Sequence, residues 1–388
     1  MQVLENLSQQ ASPTYNLENP LSDPNFANLI KQELEPIVKD IDLKGVYPQQ
    51  FMHKVGKLGG FAQSVPTELG GAAKGLKATT QVIEAISNQC MSTGFIAWCQ
   101  VACVWYLQKS ENKYLHREVL PKVASGEVLA GTGLSNPMKH FANIEKIAIE
   151  AKPCDGGYVL NGLLPWVSNI DAGHYFAVVA KIADTEDYMM AIVSEGDFPG
   201  LTLRQNAHFI ALEGTKTFSC VLRDVFVADQ FVLSAPCDQY IPRIKPGFIL
   251  TQVGMGLGLV NSCIELIQRS NKRLGHVNYF LDDQAEELAS ELEMLRLRTY
   301  TLADRIDAFE GDYDPELDRE AIQARITAAE LSLKAANSAM LHAGARAYLH
   351  GSPQERKLRE AYFVAIVTPA LKHLKKMLHH MSASTALV

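Results

Sequence analysis

The sequence predicts an α+β protein in three parts, helical at both ends with a sheet between. Three observations carry that reading. The apolar period is helical from Asn25 to about Ala124, gives way near Gly126 to short β-branched segments, and turns helical again from about Gly247. Gly, Pro and Asp punctuate the middle block. The 388 residues suffice for two or three domains around a sizeable core. The parts divide at 1–24 for an N-terminal arm, 25–125 for a helical domain, 126–238 for an antiparallel β-domain and 239–388 for a helical bundle.

The arm is polar and carries Pro13, Pro20 and Pro24 in or beside it, so no folded element is expected there. Phe26, Leu29 and Ile30 then repeat at helical spacing, as do Phe51, Val55 and Leu58. Gly59-Gly60 stops that second helix, and Pro66 and Gly70-Gly71 break regular structure after it. Helix resumes near Thr79 and runs on through AISNQCMSTGFIAWCQVACVWYLQ, apolar nearly all round and so buried on most sides.

In the middle block, IEKIAIEA, YFAVVAKIA, MMAIVSE, KTFSCVLRDVFV and FVL read as strands of antiparallel sheets packed as a small sandwich or barrel, ending near Pro236. Residues 154–169, CDGGYVLNGLLPWVSN, read as a hairpin. Asp155-Gly156-Gly157 supplies a tight turn, Tyr158 to Leu160 a strand, Asn161-Gly162 a second turn and Trp166 to Asn169 the next strand. Trp166 and Ser168 are two apart and lie on one side of a strand. A ring and a hydroxyl so placed can face one planar molecule; the plain alternative is a hairpin with a buried Trp.

The C-terminal part holds runs over about Phe248–Leu274, Asp283–Phe309 and Pro315–Ala347, with a fourth from Pro353. GMGLGLV at 254–260 is no dinucleotide fingerprint, since Leu259 stands where the third glycine belongs and no strand precedes it. Gly254 and Gly258 instead make a glycine face that lets another helix approach closely. GSPQERKLREAY at 351–362 is a charged helix start on a surface, with Glu355 and Arg359 four apart. Lys372, His373, Lys375, Lys376, His379 and His380 form a basic last helix without metal-ligand spacing. Glu286-Glu287 and Asp282-Asp283 read as solvated carboxylates.

A formal charge of -7 with a pI near 5.9 argues against a nucleic-acid binder. The N-terminus has neither the basic start nor the apolar run of a signal peptide, and no uninterrupted apolar run approaches a membrane span. Seven scattered cysteines without a C-x-x-C pair suit a reduced, cytoplasmic chain.

Several short pieces stand in one order: LGGFAQSVPTELGG, LSNP at 134–137, DGGYVLNG, WVSN, EGTKTFSCVLRDVFVADQFVL, GARAY and ERKLREA. In that order they resemble the acyl-CoA dehydrogenase family over roughly 25–380. The resemblance implies a helical domain, a β-domain and a C-terminal four-helix bundle, typically a homotetramer with FAD between the β-domain and the bundle. By it, Leu134 and Ser135 contact the flavin's pyrimidine side, Trp166 covers the ring, and Ser168 bonds near the hydride-accepting nitrogen. Arg273 corresponds to the helix arginine that meets a neighbouring subunit's FAD phosphates, and Gly344 to the turn beside the adenosine. The implied partners are a small-molecule substrate, with an acyl-CoA among the candidates, and an electron-transfer flavoprotein or a flavin reductase.

The family's chemistry pairs removal of the proton α to a thioester carbonyl with hydride transfer from the β carbon, and the proton step needs a carboxylate base. The usual glutamate position is here Thr368, followed by Pro369; the alternative position, on the first helix of the bundle, is Phe248. The glycine-serine-aspartate after LSNP is replaced by Met138-Lys139-His140, and the lysine before the tryptophan by Leu164-Pro165. Three readings stay open: a dehydrogenase of an acyl thioester whose base comes from elsewhere, with His140 a candidate; a two-component monooxygenase of the same fold, supplied with reduced FMN or FAD by a reductase; or a binding protein that has lost its chemistry.

Overall fold

The computed structural model describes residues 19–205 and 207–385, so residues 1–18 of the expected arm over 1–24 lie outside the described residues. Chain order is helix, sheet, helix, as the periodicity predicts. The first part comprises α1 (Pro24–Leu29), α2 (Val38–Lys44), α3 (Gln49–Lys57), α4 (Gly75–Gln89), α5 (Met91–Lys109) and α6 (Leu120–Ala124). Asp23 starts α1 by accepting from the amides of Asn25 and Phe26, with Pro24 at the first helical position. Two π turns, Ile30–Leu34 and Leu115–Val119, each stand just before a proline, Pro36 and Pro121. A proline has no N–H to give and crowds the carbonyl four residues back, so the helix loosens there.

The single apolar helix expected from Thr79 onward is two helices. Cys90 is extended, at φ -146°, and separates α4 from α5. Every residue of α5 from Met91 to Leu107 is buried, as its all-round apolarity requires.

After α7 (Ser135–His140) come β1 (Ile149–Cys154), β2 (Gly157–Val167), β3 (Tyr175–Ile182), β4 (Tyr188–Ser194), β5 (Leu201–Arg204), β6 (Phe218–Ala228) and β7 (Val232–Ser234). They form one seven-stranded sheet in the order β5-β6-β2-β1-β3-β4-β7, where two packed sheets or a barrel were expected. It is antiparallel except for β1 beside β3. The four-residue β5, LTLR, had no expected counterpart. Asn161-Gly162 is not a turn. β2 runs straight through it, with a register shift between Leu160 and Gly162 opposite β6. Gly162 takes φ +150°, and a side chain there would strike the Ala148 carbonyl, so glycine serves a bulge and not a reversal.

The C-terminal part comprises α8 (Tyr240–Thr251), α9 (Val253–Asn278), α10 (Ala285–Asp307), α11 (Pro315–Ala343), α12 (Pro353–Ile366) and α13 (Leu371–Thr385). The run expected from Phe248 starts earlier and breaks at Gln252, and the run expected to reach Ala347 ends at Ala343 in a 3₁₀ turn, Gly344–Tyr348. The stretch Tyr240–Asn278 is long and apolar enough to cross a membrane by length and composition, which corrects the sequence reading, yet 94% of its most apolar window is buried in the fold. That is the signature of a core helix.

The glycine face of α9 packs as expected. A methyl at Gly254 would stand 2.7 Å from the Thr80 carbonyl, and one at Gly258 2.6 Å from the Asn88 amide, so the backbone of α4 lies directly against it. Gly258→Ala is expected to destabilise the protein by about 2–3 kcal/mol through overpacking. Gly275→Ala, at a position on the same helix with nothing within 4 Å, should be neutral or slightly stabilising. Urea unfolding of both variants checks the contrast.

Candidate functional site

Two segments meet at the candidate site. The chain entering α7 runs beside the end of β2, so closely that a side chain on Gly131 would strike the Ser168 carbonyl. Val167, between Trp166 and Ser168, is buried in the sheet core. Trp166 and Ser168 therefore share the opposite side, as their spacing predicts. The Trp166 indole is 59% exposed, which sets aside the plain alternative of a buried Trp, and its ring neighbour is Phe209, at 6.3 Å between centroids. The Ser168 hydroxyl lies 2.7 Å from that of Thr217, which meets Thr215 at 2.8 Å. Asn169, two residues past β2, takes φ +61°, a conformation asparagine tolerates. Its amide donates to the Ala130 carbonyl and its oxygen accepts from the Tyr47 hydroxyl at 2.7 Å, so the turn is pinned to the helical domain.

Leu134 is buried and caps the start of α7, and Ser135 is its first residue. The Ser135 hydroxyl stands 2.9 Å from that of Thr368, 233 residues later and just past the end of α12. The structure thus joins the segment expected at the pyrimidine to the position expected to hold the base. Behind this pair, Gln252 donates to the Thr368 carbonyl at 2.9 Å and accepts from Arg325 Nε at 3.0 Å. A second Arg325 nitrogen donates to the Val364 carbonyl in the last turn of α12. Arg325 is wholly buried, and burial pulls its guanidinium down to about 10, still charged at neutral pH.

The alternative base position is apolar. Phe248 is buried and packs edge-on against Trp98 at 5.0 Å, within a cluster that includes Phe95 and Phe363. His140 stands apart from the Ser135–Thr368 pair: its Nδ1 is 3.1 Å from the Glu145 carbonyl and its ring lies against Phe141 and Tyr188. Arg273 and Gly344 are placed at the far end of the bundle. Ser270 and Asn278 of α9 both donate to the His342 carbonyl at the end of α11, which brings that stretch of α9 to the Gly344 turn. Arg273 is exposed, and open space lies beside Gly344. The 14-residue α12, about 21 Å by helix rise, separates that turn from Thr368.

Arg359 is more than the surface residue of the sequence reading. Its guanidinium pairs with both Asp42 oxygens, at 2.8 and 2.7 Å, with Glu355 at 2.5 Å and with the Ile210 carbonyl at 3.0 Å. The hydrogen bonds to Asp42, ahead of those to Glu355, hold it well above its ordinary range. Gln252, Thr217, Phe209 and Arg325 were missed in the sequence. Only Arg325 left a signal: an arginine on the buried stripe of α11, between Ala321 and Ala328. Among the described residues, no group of three His, Cys, Asp or Glu is placed to hold a metal.

Comparison with known proteins gives a consistent result. The acyl-CoA dehydrogenase N-terminal domain pattern matches residues 24–127 and the acyl-CoA dehydrogenase C-terminal domain pattern residues 251–368. The chain is 25% identical over 354 residues to the probable acyl-CoA dehydrogenase YngJ of Bacillus subtilis (strain 168), covering 87% of this chain and 90% of that protein. Its fold superposes on the structure of a glutaryl-coenzyme A dehydrogenase glutaryl-CoA complex with a TM-score of 0.83 at 23% identity, over 92% of this chain and 93% of that one. It also superposes on dibenzothiophene monooxygenase from Paenibacillus sp. A11-2, with a TM-score of 0.77 at 16% identity, over 92% and 96%.

Removing Arg359 leaves the Asp42 carboxylate, with only 5% of its side chain accessible, without its cation. Arg359→Ala is expected to cost about 3 kcal/mol in unfolding free energy. Asp42→Ala with Arg359→Ala together should cost less than the two single losses added, which a double-mutant cycle by urea unfolding measures.

Proposed function

The chain belongs to the acyl-CoA dehydrogenase family, and on that premise we propose that it is a flavin-dependent oxidoreductase acting on an acyl thioester. The observation that supports the reading is the Ser135–Thr368 hydroxyl contact of 2.9 Å, which sets the segment that the resemblance gives to the flavin against the position it gives to the base. The residues present fit FAD. An exposed indole near the end of β2 and a half-buried hydroxyl just past it share one side, and the start of α7 meets the chain just past α12. In this reading Leu134, Ser135, Trp166 and Ser168 hold the ring system. Arg273 and Gly344, too distant to reach it within one chain, serve a second copy's cofactor in a homotetramer. FAD bound there supplies the hydride acceptor, with an electron-transfer flavoprotein as the onward carrier.

The protein's own residues define what is unusual. Thr368 orients Ser135 through its hydroxyl and is far too weak a base to take an α proton at neutral pH. His140 has its Nδ1 at the Glu145 carbonyl and its ring against Tyr188, so it serves that step only by reorienting. Phe248 fills the alternative base position with an aromatic cluster. The absence of a carboxylate at both positions favours a second reading, a two-component monooxygenase supplied with reduced FMN or FAD by a reductase, which needs no such base. A binding protein without chemistry is the third reading.

Anaerobic titration separates them. A yellow protein that bleaches with an acyl-CoA is a dehydrogenase. One isolated colourless, consuming oxygen only with reduced flavin, is a monooxygenase; one that does neither yet binds ligand has no redox role. Thr368→Glu is expected to raise acyl-CoA dehydrogenation by about 100-fold or more. No gain in a variant that still binds flavin and thioester would count against that placement of the base. Trp166→Ala and Ser168→Ala are each expected to weaken flavin binding, read by spectral titration; unaltered binding in both would make the β2 end purely structural.

A further inference from the structure

We infer that a wall of rings, Phe248, Trp98, Phe95 and Phe363, limits the length of the acyl group this protein accepts. Phe248 is the specificity-determining residue, and the substrate class is a thioester whose acyl group has up to about four carbons. The inference rests on the thioester reading above and narrows it.

The wall stands where α5, α8 and α12 meet. Phe248 of α8 is edge-on to Trp98 of α5 at 5.0 Å between centroids, and Trp98 stacks with Phe95 at 5.8 Å. Phe95 in turn meets Phe363 of α12 edge-on at 4.7 Å. Rings at these separations are in contact. Polar bonds hold them in place. The Trp98 indole donates to the Thr251 hydroxyl at 3.2 Å, and that hydroxyl donates to the Gly247 carbonyl at 2.9 Å. A side chain on Gly247 would stand 2.5 Å from the Trp105 indole, which donates to the Ile244 carbonyl at 2.8 Å. The α8 backbone and side chains over 244–251 therefore lie directly against α5. A contact packed this closely does not admit added methylenes without strain.

Exposure changes across the wall. Ser135, Thr368 and Phe363 are half-buried, whereas Gln252, Phe248, Trp98 and Phe95 are buried. Access from solvent reaches the Ser135–Thr368 contact and ends at the rings. The depth between the two is short. Gln252 donates to the Thr368 carbonyl at 2.9 Å, and Phe248 stands four residues before it, about 6 Å by helix rise. An extended chain advances about 1.2 Å per atom. A thioester whose α carbon stands at Thr368 thus has only a few further carbons before it meets Phe248. The one polar group of the wall, the Trp98 N–H, is already given to Thr251. The rings therefore suit an acyl group that ends in methyl, since a polar end would be buried there without a partner.

The test uses the full chain and calorimetric binding of propionyl-, butyryl-, hexanoyl- and octanoyl-CoA. The wild-type protein is expected to bind butyryl-CoA about 10-fold or more tighter than octanoyl-CoA, against the gain that added methylenes ordinarily bring. Phe248→Ala should tighten octanoyl-CoA binding by about 10-fold or more while changing propionyl-CoA binding by less than about 3-fold. General loosening of the fold would not give that split. Phe248→Leu should fall between. Octanoyl-CoA bound as tightly as butyryl-CoA by the wild type, or a chain-length profile unchanged in Phe248→Ala, overturns the inference. If Phe248→Ala does not fold, Phe248→Leu and the wild-type series decide. Binding of no thioester at any length removes the thioester reading and this inference together. A protein that binds and bleaches with all four thioesters alike keeps the oxidoreductase reading and loses this inference. One that prefers the short thioesters but takes up no flavin keeps this inference and loses that reading.

Discussion

Arg359 ties three parts of the chain together. It holds Asp42 of α2 in a two-point contact, Glu355 one turn back on α12, and the Ile210 carbonyl in the loop after β5. A planar guanidinium with five donors can do this, whereas an ammonium cannot match the paired geometry. Because α12 is fixed at this point, its C-terminal end is fixed too, and with it Thr368. The loop carrying Phe209 is fixed at the same time, and Phe209 is the ring beside Trp166. The Ser135–Thr368 contact and the Trp166–Phe209 pair thus both depend on an ion pair that lies outside them.

The polar groups at the candidate site are chained rather than scattered. Hydroxyls of Ser168, Thr217 and Thr215 follow one another, and the Thr215 hydroxyl in turn donates to the Leu212 carbonyl. On the other wall the order is Ser135, Thr368, Gln252, Arg325. Such chains hold their members in one geometry, since a buried donor left without a partner costs more than a made bond gains. What the second chain lacks is a carboxylate. One end is two neutral hydroxyls and the other a buried cation.

Much of the fold was legible in the sequence. The change of apolar period near Gly126 and Gly247 marked the sheet between two helical parts, because side chains on a strand alternate while those on a helix recur every third or fourth residue. The glycines of α9 announced a close helix contact. The register of the sheet was not legible. Asn161-Gly162 has the composition of a turn and is a bulge, since only the partner strand β6 decides whether the chain reverses or continues. Cys90, with no Pro or Gly beside it, gave no sign that a helix ends there.

The sequence by itself determined the local content of the candidate site: an indole and a hydroxyl two residues apart at the end of β2, and a threonine and proline at 368–369. Those facts are local, fixed by residue identity and by the period of a strand. Tertiary structure alone decided which residues meet. Ser135 touches Thr368 across 233 positions, Arg273 and Gly344 lie beyond the length of α12, and Arg325 is buried behind Gln252. Contacts of that range depend on how helices pack, which is set by complementary surfaces far apart in the chain and has no signature in any short stretch of it.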